Sequence, residues 1–110
     1  MQTSWPFALT QVHPGQVLVL TGHLGVAAAA DARLALAAAV DHGTGDLVLD
    51  LTALEGIDAT GLGVLVGAHR RAGRAGRSLV LRDVSPAVGH LLLVTRLDRV
   101  LRQTRTSSYV

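Results

Sequence analysis

The segment Asp58-Ala59-Thr60-Gly61-Leu62-Gly63 holds the residues best placed for chemistry. It follows a short apolar run, Leu47 to Leu51, and leads into a helical pattern, so it reads as a helix start with an acidic cap. Asp58 can accept a hydrogen bond from the backbone N–H of Thr60 or Gly61, and its charge suits the positive end of the helix dipole. Thr60 then carries a hydroxyl beside that helix end, where it is expected to be exposed. A phosphoryl group on it would add about −1.5 to −2 charges at pH 7. The dipole would tolerate that charge and Asp58 would oppose it, so a surface changes far more than the fold. On a docking surface, burying the new charge would cost several kcal/mol, and about 1.4 kcal/mol is tenfold in affinity. Gly61 and Gly63 each disfavour a helix by about 1 kcal/mol relative to Ala. They point to close approach by a neighbouring element or a partner.

Other chemistries find little support. His13, His23, His42, His69 and His90 show no ligand spacing, and the absence of cysteine excludes disulfides and Cys-ligated metals. Gly61-Leu62-Gly63 lacks the third glycine and the later acid of a dinucleotide fingerprint. No nucleophile motif supports a Ser/His/Asp arrangement. Neither an enzyme nor a cofactor or metal is expected. Arg70, Arg71, Arg74 and Arg77 read as a solvated face that complements the negative end of the second helix. A nucleic-acid surface would interleave aromatics, and the chain has one Trp, one Tyr and one Phe. All ten basic residues are Arg and the net charge is only +2, which reads as compositional bias.

The 110 residues suit a single domain over 1–110. With 49% hydrophobic and 3% aromatic residues, the core must be Leu, Val and Ala, which favours helices alternating with buried strands. Trp5 to Val12 reads as a first strand, with Pro6 confining it to a strand start or sheet edge. His13-Pro14-Gly15 is a turn, and Gln16 to Leu24 a strand in which Val17-Leu18-Val19-Leu20 suggests burial on both faces. Val26 to Val40 is an Ala-rich helix with Leu34 and Leu36 for packing, ended by a glycine in His42-Gly43-Thr44-Gly45. Leu47 to Leu51 is a buried strand and 52–57 a loop. The second helix begins near Asp58, with Leu62, Leu65, Val66 and His69 on one stripe. Ser78 to Arg82 is a strand, and Ser85-Pro86 caps and opens a third helix. Leu97 to Leu101 forms a last strand or a helical turn, and 103–110 a frayed tail. The expected fold is α/β: a mostly parallel, mixed sheet of four to five strands with an N-terminal edge strand and three to four helices. No apolar run reaches the roughly 20 residues of a membrane helix and no signal peptide stands out, so a cytoplasmic location is expected.

Asp58-Ala59-Thr60-Gly61-Leu62-Gly63 resembles the Asp-Ser-Ser-Gly-Leu-Gly signature of bacterial anti-sigma factor antagonists, which have the STAS fold. Leu49-Asp50-Leu51 matches the family strand before it. Ser85-Pro86-Ala87-Val88 and Thr95 to Leu101 look like the family's third helix and its exit. Gly22-His23-Leu24-Gly25 stands where the family shows a Gly-Glu-Leu-Asp turn. The resemblance covers roughly residues 7 to 102.

The resemblance implies a binding switch. The unmodified antagonist binds an anti-sigma factor, often a serine/threonine kinase of the histidine-kinase ATPase fold, and frees the sigma factor. The kinase inactivates it by phosphorylating the second hydroxyl residue of the signature, Thr60 here, and a phosphatase restores it. The implied partner surface is Gly22, His23, Leu24 and Gly25 together with Asp58, Ala59, Thr60, Gly61, Leu62 and Gly63, anchored by exposed apolar residues near Leu62. Neither nucleic acid nor membrane insertion is implied, and a homodimer stays open. Three departures stand out. Ala59 removes one hydroxyl, Thr60 adds a methyl at the acceptor, and Gly25 removes an acid that normally lies near it. Arg96 stands where the family has a glycine, so a left-handed backbone there would be costlier. The alternative reading is a constitutive scaffold subunit of a signalling assembly or of an ABC-type lipid transporter.

Overall fold

Leucine spacing organises the sheet. In the computed structural model, which describes residues 6–106, Leu18, Leu49 and Leu81 stand side by side on three parallel strands, and Leu47 lies beside Leu79. All five are at most 2% exposed. Strand β1 (Ala8–His13) runs antiparallel along β2 (Val17–Leu24), which continues in parallel through β3 (Leu47–Asp50), β5 (Leu79–Arg82) and β6 (Arg102–Thr104). The sixth strand, β4 (Leu54–Ile57), pairs in parallel with the far end of β2. Helices α1 (Val26–Asp41), α2 (Ala59–Arg74) and α3 (Pro86–Val94) contribute Ala32, Leu36, Leu65, Ala72 and Leu92 to the same core.

The α/β sheet with β1 at its edge agrees with the sequence, and several details differ. The segment 52–57 contains β4. Residues 97–99 form a 3-10 turn, and 103–104 belong to β6 instead of a frayed tail. Trp5 and residues 107–110 lie outside the described residues. Val17 and Val19 are only half-buried between the fully buried Leu18 and Leu20, so this strand is not covered equally on its two sides. Leu34, expected to pack, is 74% exposed; the buried face of α1 is Ala29, Ala32, Leu36, Ala39 and Val40. On α2 the buried face is Gly61, Leu62, Val64, Leu65, Ala68 and Ala72, with Val66 and His69 at its margin. Helix α1 ends on His42 without a left-handed glycine. Arg96 does adopt the left-handed conformation, with φ 63°.

Candidate functional site

Asp58 sits at the carboxyl end of β4 with extended backbone and caps α2, its Oδ1 accepting from the N–H of Gly61 at 2.9 Å. Its second oxygen, Oδ2, accepts from the N–H of Val26 at 3.3 Å, the first residue of α1. One carboxylate therefore lies at the positive ends of two helices. Helix α1 has no cap of its own: Gly25 stands at its N-cap position and no acid lies in its first turn. Gly25 also makes room for the shared cap, because a Cβ there would lie 2.6 Å from Asp58 Oδ2. The Gly61 N–H holds the Asp58 carboxyl below the usual carboxylate range, outweighing partial burial, with help from the Val26 N–H and the neighbouring His23.

The imidazole of His23 covers two glycines. A Cβ on Gly56 would fall 2.5 Å from its Nδ1, and one on Gly25 would fall 2.9 Å from its Nε2. The ring stays exposed beside Asp58, and a cleft of about 490 Å³ opens between His23, the first turn of α1 and Pro6-Phe7. Gly61 answers a close approach inside the molecule, since a Cβ on it would meet the carbonyl oxygen of Leu24 at 2.1 Å. Gly63 faces open space.

The structure thus brings the two predicted segments together, as Gly61 packs on Leu24 and Asp58 reaches Val26. It divides their roles. His23, Ala59 and Gly63 are exposed, and Asp58 and Thr60 are half-buried. Gly22, Leu24, Gly25, Gly61 and Leu62 are buried, so they shape the backbone of the turn and offer a partner little surface. Leu62 in particular points into the core at 7% exposure. Thr60, on the first turn of α2, keeps part of its surface open.

At the opposite end of the sheet Arg77, expected from the sequence on a solvated face, is only 6% exposed. Its guanidinium donates to the carbonyls of Ala39 and Val40 at the end of α1, to Gly15 in the β1–β2 turn, and to Gly45 before β3. The signal in the sequence was α1 itself, which has neither an acid in its first turn nor a base in its last. Beyond the His42 ring, which bonds the Ala38 carbonyl, such a helix finds the partners for its ends elsewhere.

Among the described residues no cluster of three or more metal-ligating side chains occurs, and no helix is long and apolar enough to cross a membrane. A family model described as "Mlab, STAS domain" matches residues 7–103. The chain belongs to the STAS domain family. Its fold is similar to that of an anti-sigma factor antagonist from Mycobacterium paratuberculosis, with 26% identity, 91% of this chain and 85% of that one covered, and a TM-score of 0.71. It is similar to the anti-sigma factor antagonist SpoIIAA in its unphosphorylated form, with 20% identity, coverage of 94% and 90%, and a TM-score of 0.72. The phosphorylated form of SpoIIAA, a Bacillus cell fate determinant, is similar at 20% identity, coverage of 94% and 93%, and a TM-score of 0.67. In this STAS domain Asp58 serves as a single shared cap for two helices, in room that Gly25 leaves.

Proposed function

We propose that this STAS domain is an anti-sigma factor antagonist: a non-enzymatic binding protein that docks on an anti-sigma factor kinase, frees a sigma factor, and is switched off by phosphorylation of Thr60. The observation that carries the reading is the position of Thr60, half-buried in the first turn of α2 and two residues from a capping carboxylate. A phosphoryl group there meets the favourable dipole and the unfavourable Asp58 together, which suits a surface change without unfolding. The similarity to an antagonist solved in both phosphorylation states supports the same reading. The test incubates the protein with ATP and the anti-sigma kinase encoded nearest its gene, maps the phosphopeptide, and measures binding of wild type and Thr60→Glu. A phosphate on Thr60 and at least tenfold weaker binding by Thr60→Glu are expected. Equal binding by both forms refutes the switch.

Ala59 and Gly25, which depart from the antagonist pattern, favour a second reading, an unmodified accessory subunit that docks on the ATPase of an ABC-type lipid transporter. Recovery of such an ATPase, and of no sigma regulator, in a pull-down selects it over the first.

A further inference from the structure

Helices α1 and α2 lie side by side and leave between them a groove of about 310 Å³ that neither reading uses. Its walls are apolar, made by Ala37 and Leu34 from α1 and by Val64 and Ala68 from α2. Leu34 stands 74% exposed on its lip. Gly67 lines the groove with nothing within 4 Å of where its Cβ would be. No contact among the described residues therefore requires this glycine, although glycine is among the poorest residues for a helix interior. The rim is cationic: Arg33 from α1, and Arg71 and Arg74 from α2. Arg71 is paired with Asp41 at 2.7 Å, while Arg33 and Arg74 meet no carboxylate among the described residues.

We infer that this groove is a docking site for an acidic amphipathic helix of another protein. An apolar trough between two helices takes the i, i+3, i+4, i+7 side chains of a third helix. Gly67 allows the incoming backbone to approach closely, and the arginine rim selects glutamates and aspartates on the margins of that helix. A second copy of this chain fits poorly, because symmetric packing through the groove would set arginines against arginines. A membrane surface would favour protruding apolar groups over a trough with a single exposed leucine at its edge. Gly67 lies seven residues, about 10 Å, along α2 from Thr60, so a charge on Thr60 reaches the centre of the groove only across about one Debye length.

The test titrates the full 15N-labelled chain with a synthetic helical peptide whose leucines follow that spacing, flanked by glutamates, and with a twin carrying lysines instead. The acidic peptide is expected to shift the amides of Ala37, Gly67 and Ala68 saturably, more weakly as salt is raised, and the lysine twin to shift nothing. Gly67→Leu should weaken binding at least tenfold while its melting temperature stays level or rises, since leucine favours a helix and meets open space. Arg33→Glu and Arg74→Glu should weaken binding several-fold, and Thr60→Glu by less than both, which separates this site from the phosphorylation reading. The inference is overturned by equal affinity for Gly67→Leu, by shifts centred elsewhere, by no saturation at about 1 mM peptide, or by binding only to phosphatidylglycerol vesicles.

Discussion

The two ends of the sheet solve the same electrostatic problem with opposite charges. At the carboxyl ends of β2 and β4, Asp58 accepts from the amino ends of α1 and α2. At the other end, Arg77 donates to the carboxyl end of α1 and to two turns. The acid is half-buried and stands among exposed groups, whereas the cation is nearly sealed. The difference teaches where change is tolerated: a charge at the edge of water can be perturbed without collapse, and a buried one can only be kept or lost. The open end is the one with the candidate switch.

The largest expected effect breaks the sealed end. Arg77→Met strands the carbonyls of Val40 and Gly15 in a buried place, at about 1–3 kcal/mol for each group left unsatisfied, and takes a donor from those of Ala39 and Gly45. Thermal melting should fall by about 10 °C or more, and Arg77→Lys, with three donors on a single nitrogen, should recover only part of that. Gly61→Ala comes next and strains the open end. Its methyl would meet the Leu24 carbonyl oxygen at 2.1 Å, and the shift that relieves this also moves the N–H that Asp58 caps, so about 1–3 kcal/mol of stability is lost on chemical denaturation.

A smaller effect lies in the acid limb. Because the folded state holds the Asp58 carboxyl below its ordinary 3.8, its contribution is present above that value and disappears as pH falls through the lowered one. Asp58→Ala should therefore lower the melting point at neutral pH, with the gap to wild type closing in acid. The smallest effect is at the Arg71–Asp41 pair, whose side chains are 44% and 50% exposed. Arg71→Gln should leave the melting curve unchanged within error, which would show that this exposed pair adds nothing to what the sealed arginine supplies.

The sequence made most of this architecture readable where burial and periodicity agree. Leu47-Val48-Leu49 and Leu79-Val80-Leu81 are apolar runs too short for helices, and Ser85-Pro86 carries its own cap, with Ser85 Oγ accepting from Val88. β4 escaped because Leu54-Glu55-Gly56-Ile57 mixes an acid and a glycine into four residues. β6 escaped because Arg102-Gln103-Thr104 is polar and exposed, an edge strand marked only by its backbone pairing. Arg77 escaped because an arginine just past a helix end reads as solvated until the carbonyls converging on it are known. At the candidate site, the cap of Asp58 on Gly61 was legible from local spacing. Its reach to Val26, 32 positions away, was not, since only the fold makes them neighbours.

Both ends of α1 are held from far along the chain, Val26 by Asp58 and Ala39 by Arg77, 38 positions apart. A lone 16-residue helix is only a little longer than the marginal length in water, and at its own ends this one has only His42, bonded to the carbonyl of Ala38. It is therefore expected to condense together with the segments that carry Asp58 and Arg77. Its amide protons should exchange with solvent only when the whole domain opens.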